Sequence, residues 1–374
     1  VGGGVGHGFP FGKIINIVGD KSSGKTFLSL EIVAAAYHRY GKKLRWLYDD
    51  AESGFTFDTE NLYGFQVFPD EEPVHSRTVE ELYVNYRTFL DSLKPGEVGV
   101  YVVDSLDGLS NEEIEQRGED RVKAAKAGRS YSKGSYGMAT PRFLSQEFFR
   151  TLTDETKDRN VLLIIVSQTR DAIDSMFKTQ TRSGGKALDF YAHTVLWLSH
   201  LTDIKIKNRP VGAVVKAKAK KSKTPRPRRE AVFSFMFDYG LDDIGSSIDF
   251  LFGLRGKRGE LLEAAKAIVW DGGGRKADLS GLKAWMEETG KLEWYRENVN
   301  RTLRKSEVLA WIESDPEVAA AYESAFGTPR SRAELIAHVE SNGLEKELRD
   351  RVRAKWEAIE ESIRSGRKRK YSDE

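Results

Sequence analysis

The chain contains no cysteine. Disulfides, thiolate metal sites and cysteine nucleophiles are therefore excluded, and a cytoplasmic setting is the natural expectation. Long apolar runs are missing too. The longest, "VLLIIV" at 161–166, falls far short of the roughly 18 residues of a membrane span. It has the length of a buried strand, so no membrane partner is expected. Net charge is nearly absent: charged residues reach 31%, yet they sum to only +2. A polyanionic partner cannot be argued from that total and has to rest on local patches. There is no initiator methionine and no signal peptide. The chain opens Val-Gly-Gly-Gly, which reads as a sequence with something upstream removed or left out. It also lacks any internal repeat.

With 374 residues, 39% of them apolar, there is enough chain for one large domain and a smaller one or two. From residue 12 to about 240, short β-rich runs alternate with helical patterns. "KIINIVG", "KLRWLYDD", "VGVYVVDS", "NVLLIIVSQ" and "HTVLWLSHL" are near-continuous apolar segments bounded by charge or glycine, as strands covered on both faces are. Helical stretches at 25–39 and 141–157 fall between them, which predicts an α/β core with a mostly parallel central sheet. "GAVVKAKA" and "EAVFSFMFDY" read as a final hairpin-like pair joined by a basic loop. The expected organisation is a core over 1–246, a small, mainly helical C-terminal domain over 247–328 with a short hairpin at "AIVWDGGGRK", and a charged helical tail over 329–374. In the tail, Leu344, Leu348, Val352, Trp356, Ile359 and Ile363 recur at helical spacing and predict one amphipathic helix.

The stretch "GDKSSGKT" fits G-x-x-x-x-G-K-[ST] across Gly19, Asp20, Lys21, Ser22, Ser23, Gly24, Lys25 and Thr26. A strand precedes it and a helix follows, which is the context such a phosphate-binding turn requires. Glycines let backbone amides fold round phosphates, and the helix N-terminus adds its positive dipole end. Lys25 brings a point charge to the β/γ-phosphates of ATP, and the Thr26 hydroxyl can ligate Mg²⁺. "VGVYVVDS" then ends in Asp104, the expected carboxylate on the Mg²⁺ side. Hydrolysis also needs a group that activates water. "LYDDAES" offers Asp49, Asp50 and Glu52 at the edge where α/β sheets place ligands, and spacing alone does not choose among them.

Taken together, "GKIINIVGDKSSGKTFLSLEIVAAA", "YDDAES", "VVDS", "IIVSQTR" and "SGGKALDFYAHTV" resemble, in order and separation, the bacterial RecA recombinases, over about residues 8 to 245. The resemblance implies an ATP-dependent recombinase that coats single-stranded DNA as a helical filament and exchanges strands with a homologous duplex. It implies that Glu52 is the base for the attacking water. It also implies that Gln168 senses the γ-phosphate and passes its presence to the loop that follows. Without the family, Gln168 would read as a polar strand-end residue.

Two segments would face DNA. The first, about 108 to 140, reads as a long loop. It carries Arg121, Lys123, Lys126, Arg129 and Lys133 with Tyr131 and Tyr136 interleaved, a composition suited to tracking a nucleic-acid backbone. The second, "RDAIDSMFKTQTRSGGKALDF", follows Gln168. Its Gly184–Gly185 pair lets a phosphate approach backbone N–H groups, with Arg170, Arg182 and Lys186 for charge, and Ser183 lies beside the pair. The resemblance implies that Met138 and Ile173 enter the gaps between base triplets, where ordinary core packing is the plain reading. It further implies that Arg142 and Ser145 touch phosphates. Lys216 and Lys218, in "VVKAK", match two lysines that reach the ATP of the next subunit. They open a run with eight basic residues among the fourteen from Lys216 to Arg229. Residues 220–229 depart from the family pattern and are a candidate duplex contact.

The chain starts without the N-terminal helix and strand that pack on the neighbouring subunit in RecA proteins, its first DNA segment is longer, and its tail is basic. Phe57 and Tyr63 are the candidates to stack on adenine. These departures fit a bacteriophage or other mobile-element relative. Two other functions compete: a RecA-fold motor or helicase that forms closed rings, and a DNA-associated module that binds ATP without turnover. The paired lysines and the "SGGKALDFYA" loop favour the recombinase over the first, and Glu52 argues against the second.

Overall fold

The computed structural model describes residues 8–68, 74–129, 143–171, 180–182, 185–223, 228–266, 268–270, 316 and 329–363. The chain divides into two compact units, Val1–Leu241 and Asp242–Glu374.

The first unit is built on β1 (Lys13–Gly19). Its residues point alternately to two faces, and both faces are covered. Ile15 and Ile17 enter one apolar layer while Ile14 and Val18 enter the other, which is why the run is apolar without alternation. The layer of Ile15 and Ile17 is completed by α1 (Lys25–Tyr40), through Leu30, Val33 and Ala34, and by the segment after β2 (Leu44–Asp49) that holds α2 (Thr59–Tyr63). The opposite layer takes Leu82, Tyr86 and Phe89 of α3 (Val79–Ser92), which precedes β3 (Val98–Val103).

The segment read as a long first loop is partly helical. α4 (Glu112–Lys126) runs through it, and no residue of that helix is buried. Three features hold the helix in place of burial. The Asn111 side chain accepts from Ile114 N, glutamates occupy the first turn, and lysines the last, matching the helix dipole. A turn of π-helix (Leu144–Phe148) leads into α5 (Phe149–Asp158), β4 (Val161–Asp171), β5 (Gln180–Arg182) and α6 (Gly185–Tyr191). There follow β6 (Thr194–Ile206), β7 (Arg209–Ser222), β8 (Glu230–Met236) and β9 (Gly240–Asp242).

The sheet order is β2-β3-β4-β1-β6-β7-β8-β9, with β5 paired to β4 off this path. The pairs β2–β3, β3–β4, β4–β1 and β1–β6 are parallel, and β6–β7 and β7–β8 are antiparallel. This is the α/β core with a mostly parallel sheet that the alternating runs predict. β7 extends further than "GAVVKAKA". Ala213, Val215, Ala217 and Ala219 face the core, and Lys216, Lys218 and Lys220 share the opposite face by the two-residue period. The first half of the basic run is therefore strand and not loop. Among the described residues no helix is long and apolar enough to cross a membrane.

In the second unit, α7 (Asp243–Phe252) packs with α8 (Arg332–Ser341) and α9 (Glu345–Ser362) around Ile248, Leu254, Trp270, Leu335, Val339 and Leu348. Residues 329–363, set apart in the sequence as a charged tail, thus supply two helices to this core. The apolar series from Leu344 to Ile363 marks α9, and α8 is a second helix ahead of it; the two are parted at Asn342–Gly343, where Gly343 takes a positive φ of 64° that favours glycine. The hairpin expected at 267–276 extends outside the described residues. Its first strand, β10 (Ile268–Val269), is antiparallel to β11 (Pro329–Arg330). Asp249, with a side chain 4% exposed, anchors the unit. Arg332 Nε donates to its Oδ1 at 2.6 Å and Arg255 Nε to its Oδ2 at 2.7 Å, and Arg332 also reaches Asp242 at 3.0 Å.

Removing the shared carboxylate leaves two partly buried guanidiniums facing each other. Asp249→Ala should lower the stability of the second unit by about 3 kcal/mol or more. Arg255→Ala, which leaves Arg332 on Asp249, should cost about half as much. Calorimetry of the two variants against the parent checks the order.

Candidate active site

The ends of four neighbouring strands meet at one edge of the sheet. β1 gives way to the Asp20–Gly24 turn, in which Ser22 and Gly24 have φ of 61° and 83°. At Gly24 a side chain is excluded by space as well as by φ, since a Cβ would lie 2.7 Å from Cε2 of Phe235. α1 starts directly at Lys25 with no side-chain cap and no acid in its first turn. Its N-terminal amides are left for an external acceptor. Ser23 Oγ is buried with no hydrogen-bond partner. An uncapped helix start, an unsatisfied hydroxyl and a lysine suit the phosphates of a nucleotide.

Lys25 is buried, and its Nζ donates to the Asp20 carbonyl at 2.8 Å. Burial pulls this ammonium below its ordinary pKa, while the charges of Asp104, Glu52, Asp107 and Asp20 pull it back up. Thr26 Oγ1 donates to Asp104 Oδ2 at 2.7 Å, so the two oxygen ligands expected for Mg²⁺ stand side by side. Hydroxyl and carboxylate oxygens are the hard donors that ion takes. Burial raises the Asp104 pKa, and hydrogen bonds from Tyr48 and Thr26 oppose that rise. Tyr48 donates to the same Oδ2 at 2.7 Å, a role its sequence context hides, since it reads there as one more apolar strand residue.

Geometry separates the three acids that spacing left equivalent. Asp49 is fully buried and accepts from Ser76 N at 2.8 Å, Ser76 Oγ at 2.5 Å and Tyr101 OH at 2.9 Å. Asp50 Oδ2 accepts from Phe55 N at 2.9 Å and shapes the next turn. Glu52 is exposed, and its Oε1 accepts from Ser105 Oγ and, at 2.7 Å, from Gln168 Nε2. The backbone N–H of Gln168 donates to Asp107 Oδ2 at 2.6 Å. Ser105 and Asp107 are further members of this network. Their place just after Asp104 is the only signal that marks them.

Gln168 leads straight into a ribbon. β4 runs on to Asp171 and pairs with β5, Thr169 opposite Arg182 and Arg170 opposite Thr181. Gly185 and Lys186 open α6. Met138, Arg142, Ile173, Ser183 and Gly184 lie outside the described residues, as do the side chains of Ser145, Arg170, Arg182 and Lys186. Lys216 and Lys218 both pair with Glu230 on β8, Lys218 at 2.7 Å, and hold its carboxyl below the usual range. Lys220 lies 3.0 Å above the Trp197 ring. Of the two adenine candidates, Tyr63 is buried against Phe65. Phe57 stands edge-on to Phe27 at 4.9 Å. Phe27, next to Thr26, is stacked in turn with Phe237, a residue 49% exposed.

The fold and this edge define a P-loop α/β protein. Residues 1–242 match the family model of the RecA N-terminal domain, close to two thirds of the chain, and the chain belongs to that family. It is also similar to a solved structure titled "Crystal structure of the RadB recombinase", at 18% sequence identity and a TM-score of 0.41, over 63% of this chain and 92% of that one.

Asp49 and Glu52 differ in what they hold, and stability measurements should separate them. Asp49→Ala strands three donors in the core and should cost about 3 kcal/mol or more. Glu52→Ala, at an exposed position, should stay within about 1 kcal/mol. Urea unfolding of both variants gives the comparison.

Proposed function

We propose that this chain is a DNA-dependent ATPase of the recombinase type. It would bind ATP with Mg²⁺, coat single-stranded DNA, self-associate into a helical filament, and exchange strands with a homologous duplex. The observation that carries this reading is the bond from Gln168 to Glu52, because it joins the edge that would activate water to the root of the ribbon that would meet DNA.

In this reading Lys25, the start of α1 and Ser23 hold the phosphates. Thr26 and Asp104 would hold Mg²⁺, which when bound offsets the charge of the β- and γ-phosphates. Glu52 takes the proton of the attacking water. Ser105 and Gln168, both donating to its Oε1, fix where that carboxylate points. Gln168 then has two possible acceptors, Glu52 and a γ-phosphate oxygen, and a change from one to the other moves the base of the ribbon. The exposed Phe237 ring, continuous with Phe27 and Phe57, offers the base an aromatic face. Lys216 and Lys218 are assigned to the phosphates of a neighbouring subunit, with Glu230 as the anion they leave. Arg170, Arg182, Lys186 and the Gly184–Gly185 backbone are assigned to single-stranded DNA. Glu52, set apart from the two structural aspartates, favours turnover over passive ATP binding.

Lys25→Ala should abolish nucleotide binding. Glu52→Gln should keep nucleotide and DNA binding but slow phosphate release by about 10²–10⁴-fold. Normal turnover by Glu52→Gln would move the base elsewhere and return the protein to the passive-module reading.

Arg170→Ala and Arg182→Ala should weaken single-strand binding for all base compositions. Each should lower the slope of log affinity against log salt by about 0.7, as one lost phosphate contact on a single strand does. An unchanged slope in both would remove the ribbon from the DNA surface.

A further inference from the structure

Asp20 places a carboxylate inside a loop that is to receive phosphates. Repulsion makes this unfavourable unless the carboxylate is held elsewhere, and the structure gives it a holder. Its carboxylate accepts a hydrogen bond from Thr169 Oγ1, 149 residues away in sequence, while its own backbone carbonyl takes Lys25 Nζ at 2.8 Å. Asp20 is also among the acids whose charge acts on Lys25. The carboxylate therefore has a second possible partner close by, the ammonium that must meet the phosphates. An Asp20–Lys25 ion pair would cancel the charge the nucleotide needs.

We propose that Thr169 is a positioning residue for nucleotide binding, whose hydroxyl keeps the Asp20 carboxylate away from Lys25 and from the phosphates. This rests on the reading that Gly19–Thr26 takes ATP, and it adds a consequence. Thr169 is the residue paired with Arg182 at the root of the β4–β5 ribbon. Seating the ribbon and withdrawing Asp20 are thus one movement. By linkage, a polynucleotide that seats the ribbon tightens ATP binding, and ATP favours the seated ribbon to the same extent. The contact from Gln168 to Glu52 serves the base, and the contact from Thr169 to Asp20 serves the phosphates. They leave the same strand at successive residues.

The test is a double-mutant cycle on the full chain with Thr169→Val, Asp20→Asn and both together. It is read by equilibrium titration of a fluorescent ATP analogue and by steady-state hydrolysis, each with and without oligo(dT). Thr169→Val should weaken the analogue and raise KM about five-fold, the scale of one exposed ion pair, with kcat moving far less. It should also lose the tightening that oligo(dT) gives. Thr169→Ser should restore both. In the Asp20→Asn background, Thr169→Val should have no further effect on affinity. Equal weakening in both backgrounds, or unchanged affinity in Thr169→Val, overturns the proposal while leaving the ATP reading intact. Failure of the unsubstituted chain to bind the analogue, with Lys25→Ala indistinguishable from it, overturns both.

Discussion

The parallel pairing of β1 with β4 fixes the level at which the site is assembled. In that ladder Asn16 stands beside Ile165 and Gly19 beside Gln168. The first residue of the Gly19–Thr26 turn is therefore level with the residue that reaches Glu52. A parallel ladder of apolar residues can slip, and a slip of one place would turn every side chain to the wrong layer. Asn16 opposes slippage. It is fully buried, and its Nδ2 donates to the Ile165 carbonyl at 2.8 Å and to Ser167 Oγ at 2.9 Å. Either bond lost inside the sheet would leave a polar group unsatisfied, so a polar residue among isoleucines selects one register.

From that register follows a division of labour among acids crowded at one edge. Each carboxylate is defined by the donors it faces. Tyr101 and Ser76 hold Asp49 in the core, Tyr48 and Thr26 hold Asp104 at its border, and Ser105 and Gln168 hold Glu52 at the surface. Negative charge accumulates around the buried Lys25. Such a site suits a ligand that arrives with its own divalent cation, since phosphate alone would meet more repulsion than attraction.

Much of the core was legible in sequence because strands buried on two faces leave unbroken apolar runs, and the Gly19–Thr26 turn is an uncommon pattern in a required context. What escaped has specific causes. α4 has no buried face, so no apolar periodicity announces it, and its charges read as a loop. Leu335, Ile336 and Val339 of α8 lie out of phase with the apolar series that marks α9, so only the second of the two helices is announced. Lys216 and Lys218 are conspicuous in the chain, but their shared anion Glu230 depends on which residues of β7 and β8 stand opposite one another. Asp49, Asp50 and Glu52 lie within four residues, and the donors that distinguish them come from positions 55, 76, 101, 105 and 168. Side-chain partners brought in from distant strands are fixed by topology, which no local pattern reports.

The position of β1 also has a consequence for synthesis. It is made before β4 and β6, yet it lies between them, and its pairing with β6 reaches Leu198. At about 5–20 residues per second, some ten seconds or more pass before both neighbours exist. During that interval β1 and the Gly19–Thr26 turn lack one or both of the strands that flank them. Pairing of β2 with β3 is local by comparison and can precede it. The Gly19–Thr26 turn is thus made well before Gln168 and the β4–β5 ribbon, and the edge that joins them is completed only when β4 stands beside β1.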